Sequence, residues 1–102
     1  MAEIIRGTTP PITVRFNFDA SIITTLYLTI SQNGAMVIEK DIADGAVDGN
    51  DIVFTLTQAE TLLLEEGVAA LLQVRFLTSD GAFASSMVDL SVGGILKEGA
   101  IT

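Results

Sequence analysis

From Ile12 to Phe18 apolar and polar residues alternate strictly, with Ile12, Val14, Phe16 and Phe18 separated by Thr13, Arg15 and Asn17. A period of two puts the two sets on opposite faces of an extended chain, so the segment predicts a strand with one face buried and one wet. The alternation returns in later segments. A strand of about residues 24–32 would bury Leu26, Leu28 and Ile30 and expose Tyr27, Thr29 and Ser31. Another, about 51–56, would bury Ile52, Phe54 and Leu56. A long one, about 68–78, has Leu72, Val74 and Phe76 on one face. The last, about 82–92, has Ala84, Ser86, Val88, Leu90 and Val92 on one side.

The punctuation between these runs is equally readable. Asn33-Gly34 stands directly before Met36-Val37-Ile38-Glu39-Lys40, and Asn-Gly is the preferred pair for a two-residue hairpin because both positions need a positive φ. Asp80-Gly81 is a second hairpin signal, and Asp19-Ala20-Ser21 reads as a turn. The stretch Asp41 to Asn50, rich in Asp and Gly, reads as a loop with a short edge strand near Ala46-Val47. Thr57-Gln58-Ala59-Glu60 fits a capping box, three leucines follow, and Gly67 can end the element, which predicts one helix over about residues 58–65. Gly7-Thr8-Thr9-Pro10-Pro11 makes a stiff lead-in, so residues 1–11 form an extended N-terminal arm, and residues 95–102 a short C-terminal tail.

About seven short strands with regularly spaced turns predict an all-β fold, an immunoglobulin-like β-sandwich with one short crossover helix near residues 58–65. A small closed barrel is the alternative; unequal strand lengths and a helical connection favour the sandwich. The 102 residues make a single domain, 1–102, with 49% hydrophobic residues to supply its core.

Composition then removes function classes. The chain has no His and no Cys, hence no disulfide, no thiolate and none of the common nucleophile–base pairs. Thirteen acidic residues against five basic give a net charge of −8, which opposes phosphate backbones and anionic membranes, so neither nucleic acid nor membrane is an expected partner. No apolar run approaches the roughly 20 residues that span a bilayer, and Met1 to Arg6 is too short and mixed for a signal peptide, so the expectation is synthesis in the cytosol without export.

Four groups of residues are candidate sites. Asp41, Asp44, Asp48 and Asp51, interleaved with Gly45 and Gly49, have the oxygen density a hard cation prefers, with Asp44, Asp48 and Asp51 the metal candidates; the spacing departs from the known calcium loop, and a solvated turn is the plainer reading. Glu60, Glu65 and Glu66 sit on or beside the helix, where Glu60 has a capping role, and nothing sets two carboxylates across a cleft. With no Trp and one Tyr there is little to stack on a sugar. The chain is therefore expected to be no enzyme and to need no cofactor. Arg15 and Arg75, outward on their strands, would pair with neighbouring acids. The fourth group is apolar: Leu71 and Leu77 flank Gln73 and Arg75, and Phe83 and Met87 flank Ser85, all at positions counted as outward. Such a patch marks a protein contact surface, unless the faces are assigned the other way or the tail or arm covers them.

Ile4-Ile5-Arg6-Gly7-Thr8-Thr9-Pro10 resembles the start of a family of small proteins encoded in phages and prophages of Firmicutes. The resemblance continues through Leu28-Thr29-Ile30-Ser31-Gln32-Asn33-Gly34, Leu56-Thr57-Gln58-Ala59-Glu60-Thr61-Leu62, Gln73-Val74-Arg75 and Ile95-Leu96-Lys97-Glu98-Gly99, and so spans nearly the whole chain. The layout is also similar to the immunoglobulin-like N-terminal domain of phage upper-baseplate proteins. The resemblance implies a non-enzymatic structural protein of the virion, tail or baseplate region. Such an assembly or adaptor module would contact copies of itself or a neighbouring virion protein, and would lie in the bacterial cytoplasm during assembly and then in the virion. The arm and the tail would be candidate strand donors to a neighbour. A carbohydrate- or calcium-binding module at a host-facing surface is the alternative.

Overall fold

The structure, a computed structural model, describes residues 2–85 and 87–101. Among these, nine strands alternate with short turns: β1 (Ala2–Ile5), β2 (Pro11–Arg15), β3 (Thr25–Gln32), β4 (Ala35–Asp41), β5 (Gly45–Asp48), β6 (Asp51–Thr55), β7 (Ala70–Thr78), β8 (Gly81–Ala84) and β9 (Val88–Gly93). One helix, α1 (Gln58–Leu62), joins β6 to β7, and single 3-10 turns cover Ala20–Ile22 and Ile42–Asp44. The larger sheet runs β1-β9-β7-β3-β4, with β8 beside the C-terminal half of β7; the smaller runs β2-β6-β5. This is the strand order of an immunoglobulin-like sandwich, with the helical crossover passing between the sheets.

The core lies between the sheets and follows the period of two. Leu26, Leu28 and Ile30 of β3 and Ile52 and Phe54 of β6, with Leu56 just beyond it, are wholly removed from solvent. Each such side chain contributes roughly 1.5–3 kcal/mol by burial. The hairpin at Asn33-Gly34 forms as expected: φ is +53° at Asn33 and +77° at Gly34, and Gln32 pairs with Ala35. The edge strand expected near Ala46-Val47 is β5.

Four expectations are revised. The N-terminal arm is partly a strand of the sheet: β1 pairs in parallel with β9, from Ala2 opposite Leu90 to Ile5 opposite Gly93, and Ile4 enters the core. The strand expected to reach Phe18 ends at Arg15 because β6 begins at Asp51; beyond it only the Asn50 carbonyl remains to accept from the Phe16 N–H. The helix stops at Leu62, short of 65. Leu63 and Leu64 make the tighter bonds back to Glu60 and Thr61, and the Glu65 N–H is taken by the Gln32 side chain at 2.9 Å. Finally, the strand expected over about 82–92 is two strands, β8 and β9, with a break that changes the facing of one of them.

Candidate interaction surface

Register decides which side chains share a face. Along β8, Phe83 opposes Phe76 and Ala84 opposes Arg75; along β9, Val88 opposes Leu72 and Leu90 opposes Ala70. Three residues, 85–87, therefore span the two β7 positions Gln73 and Val74. This is a one-residue bulge, and every side chain on one side of it changes face relative to a continuous strand. Ser85 closes the gap. Its N–H donates to the Val74 carbonyl at 2.8 Å, and its hydroxyl oxygen accepts from the Val74 N–H at 3.0 Å in place of a main-chain carbonyl. The Gln73 amide in turn donates to the Ser85 carbonyl at 3.0 Å.

The four apolar contact candidates are thereby separated. Leu71 and Leu77 lie on the outer face of the larger sheet, 38% and 43% exposed, as their alternation implies. Phe83 does not join them. It shares the inward side with Phe76, on which it stacks at 5.5 Å, although its place at the end of the sandwich leaves it 47% exposed. Phe76 also packs edge-on against Phe16 at 5.2 Å, and Phe18 completes the cluster. Ala84, expected inward, is on the outer side opposite Arg75. Val88, Leu90 and Val92 keep the facing expected of them. Met87 stands exposed in the break between β8 and β9, and Ser86, expected on the inward face, lies outside the described residues.

One residue missing from the expected patch belongs to it. Tyr27 of β3 lies directly opposite Arg75 on the outer face and is 47% exposed. The face thus presents a row in which Leu71 and Leu77 flank Gln73 and Arg75, with Tyr27 beside Arg75, which has no ion pair among the described residues. Pairing of Thr25 with Leu77 and of Thr29 with Gln73 fills the positions between. The signal in the sequence was the lone Tyr at an outward position; its proximity to Arg75 depends on the β3–β7 register.

The other charges are engaged locally. Arg15 pairs with Asp51, the residue opposite it on β6, through two hydrogen bonds of 2.9 and 3.1 Å. The guanidinium bond holds the Asp51 carboxyl below the ordinary carboxylate range. Lys40 reaches Glu60 at 2.7 Å. Burial pushes the Glu60 carboxyl up, but the Lys40 bond and the Thr57 N–H pull it down further, so it too titrates low. The expected capping box is present, with the Glu60 N–H donating to the Thr57 hydroxyl and the Thr57 N–H to the Glu60 carboxylate.

The metal candidates do not converge. Asp48 stands opposite Asp51 across the β5–β6 hairpin, but Asp51 is held by Arg15, and Asp44 accepts from the Asp41 N–H in a small capping box apart from them. Among the described residues no group of three or more metal-ligating side chains comes together.

Three polar clamps went unread in the sequence. Gln32, 5% exposed, donates to the Glu65 and Val68 carbonyls and accepts from the Glu65 N–H, fixing the connection that leads into β7. Arg6 donates to the Leu64 and Leu62 carbonyls at 2.8 and 3.1 Å and pairs with Glu98. Gln58 holds the main chain of Ile101 through both its amide atoms. Each joins segments remote in sequence, and no local pattern announces such a bond.

Neither a family model nor a curated sequence matches the chain. Among solved structures it is similar to CopC from Methylosinus trichosporium OB3b, with a TM-score of 0.60 at 15% identity over 96% of this chain and 90% of that one. It is also similar to the extracellular domain of mouse leukocyte-associated immunoglobulin-like receptor 1, solved as a strand-swapped dimer, with a TM-score of 0.51 at 13% identity over 89% and 85% of the two chains. A second structure of that immunoglobulin-like domain gives 0.52 at 12% identity. These likenesses define the class by fold: the chain is an all-β, immunoglobulin-like sandwich.

Proposed function

We propose that this protein is a non-enzymatic structural module of a phage or prophage particle, an assembly or adaptor domain working through the outer face of its larger sheet. The observation that carries the proposal is an outer-face row along β7 in which Leu71 and Leu77 flank Gln73 and Arg75, with Tyr27 opposite Arg75, a cation with no ion pair among the described residues. An apolar strip with a central charge suits a partner that covers the leucines and offers a carboxylate to the arginine, because desolvation strengthens such a pair once water is excluded. The partner is a neighbouring virion protein or another copy of the chain. The phage assignment rests on the sequence resemblance along the chain. The protein would then be found in the bacterial cytoplasm during assembly and afterwards in the particle. The calcium- or carbohydrate-binding alternative finds no support in Asp44, Asp48 and Asp51: Asp48 and Asp51 oppose each other across the hairpin, but Asp51 is spent on Arg15 and Asp44 on the Asp41 N–H.

The test is quantitative mass spectrometry of purified particles from an induced host, with the protein measured against the major capsid protein. Stoichiometric incorporation of the natural chain, lost in a Leu71→Ser/Leu77→Ser double variant that melts normally, is the expected result. Absence of the natural chain from particles while it is abundant in the lysate would overturn the reading.

A further inference from the structure

The smaller sheet ends at β2, which among the described residues is bonded to β6 alone. The Phe16 N–H donates to the Asn50 carbonyl and the Leu56 N–H to the Pro10 carbonyl. Pairs two residues apart share this bonding in an antiparallel ladder, so Ile12 and Val14 spend their main-chain groups on β6. Thr13 and Arg15 therefore turn both N–H and C=O toward the free edge, and Pro11 turns its C=O there. Behind the edge, between the two sheets, runs a groove of about 450 Å³ whose lining includes Ile12, Val14, Leu72, Val74 and Val88, with Glu3 of β1 also bordering it. Among the described residues β1 pairs with β9 from Leu90 onward, and Val88, beside the groove, is 45% exposed.

We propose that this edge pairs with the same edge of a second copy, β2 against β2 about a two-fold axis, joining two three-stranded sheets into one of six strands. Charge selects the occupant. Of the other edge strands, β4 carries Glu39 and Asp41, β5 ends in Asp48 and β1 carries Glu3, while β8, also free of acids, is only four residues long and follows directly on Asp80. β2 carries no acid, and the charge of its Arg15 is matched by Asp51. β2 is therefore the longest free edge without an acid, and two chains of net charge −8 can meet along it without setting carboxylates strand to strand.

The register is self-complementary when centred on Thr13. The two Thr13 residues exchange N–H and C=O, and each Arg15 N–H meets the other copy's Pro11 carbonyl. Pro11, which has no N–H, leaves no donor stranded. On the groove side Ile12 faces Val14 of the other copy, a β-branched pair repeated by symmetry, and on the outer side Thr13 faces Thr13. The two arginines lie four positions apart, about 14 Å. An isologous contact of this kind closes at two copies and exposes no further edge. The inference is independent of the particle reading: the purified chain tests one, particle composition the other.

Sedimentation equilibrium on the purified full chain should give a dimer. Thr13→Pro removes the outward N–H without touching a bond to β6, and Thr13→Lys sets two like charges opposite each other. Each should weaken dimerisation at least about tenfold with unchanged circular dichroism; should the proline variant misfold, the lysine variant decides. The chain has no cysteine, so Thr13→Cys supplies a single thiol, and two directly bonded positions, about 5.5 Å apart at Cα, are within disulfide reach. It should cross-link under mild oxidation faster than Asn33→Cys in the exposed hairpin. A natural chain that stays monomeric at millimolar concentration overturns the proposal and leaves the edge to a segment of another protein. A dimer that survives both substitutions overturns it in favour of a contact elsewhere.

Discussion

Phe76 on β7 and Phe83 on β8 stand directly opposite each other, their ring centroids 5.5 Å apart and their planes 27° from parallel. Counting by twos back from Val88 would have put Phe83 on the opposite face, beside Leu71 and Leu77. The single extra residue between Ala84 and Val88 sends it to the aromatic cluster instead, which turns a contact candidate into part of the sandwich's end.

That placement separates two substitutions. Phe83→Ser should lower the free energy of unfolding by about 2 kcal/mol, less than for a fully buried ring because Phe83 is half exposed. Leu77→Ser, on the outer face, should change it by no more than about 0.5 kcal/mol. Urea denaturation of the two variants is the check; equal costs would mean that Phe83 carries no packing.

Gln32 is the buried polar group with most depending on it. Gln32→Leu keeps the volume but strips the Glu65 N–H and the Glu65 and Val68 carbonyls of their partner. A loss of about 3 kcal/mol is expected from these groups. Hydrogen exchange should also show the Glu65 amide losing protection while those of β3 and β4 keep theirs.

Ser85 is expected to be less tolerant than an ordinary loop serine. Ser85→Ala removes the acceptor of the Val74 N–H, inside a residue that is itself buried. The cost should be about 1–2 kcal/mol, read from the urea midpoint. Ser85→Thr, which restores a hydroxyl, should recover most of it.

Acid should weaken the fold through Glu60 and Asp51, whose carboxyls titrate lower folded than free. A depressed carboxylate adds stability above its unfolded pKa, about 4.3 for Glu, and that addition disappears as pH falls through the folded value. The melting-temperature difference between the natural chain and Glu60→Gln should therefore be largest near neutral pH. It should shrink progressively below about pH 4.5 as the natural side chain takes up its proton. A difference independent of pH would show that the Lys40 pair contributes nothing through charge.

What the sequence determined by itself was everything carried by local periodicity and local chemistry. The alternation of Leu26, Leu28 and Ile30 chose the buried face of β3, Asn33-Gly34 set a hairpin, and Thr57 with Glu60 started the helix, because each needs only neighbours a few residues away. The sandwich itself followed from the number and spacing of such strands. Tertiary structure decided the rest, because it depends on which strand lies beside which. The parallel seat of β1 on β9 is one case, since four residues carry too short a pattern to distinguish strand from lead-in. The bulge at Ser85 is another: alternation counted from either end is internally consistent, and only the pairing with β7 shows that the two counts disagree by one residue. The meeting of Tyr27 with Arg75, and the free edge of β2, have the same origin, for register and sheet order are properties of pairs of strands, fixed by the packing of the two sheets on a common core.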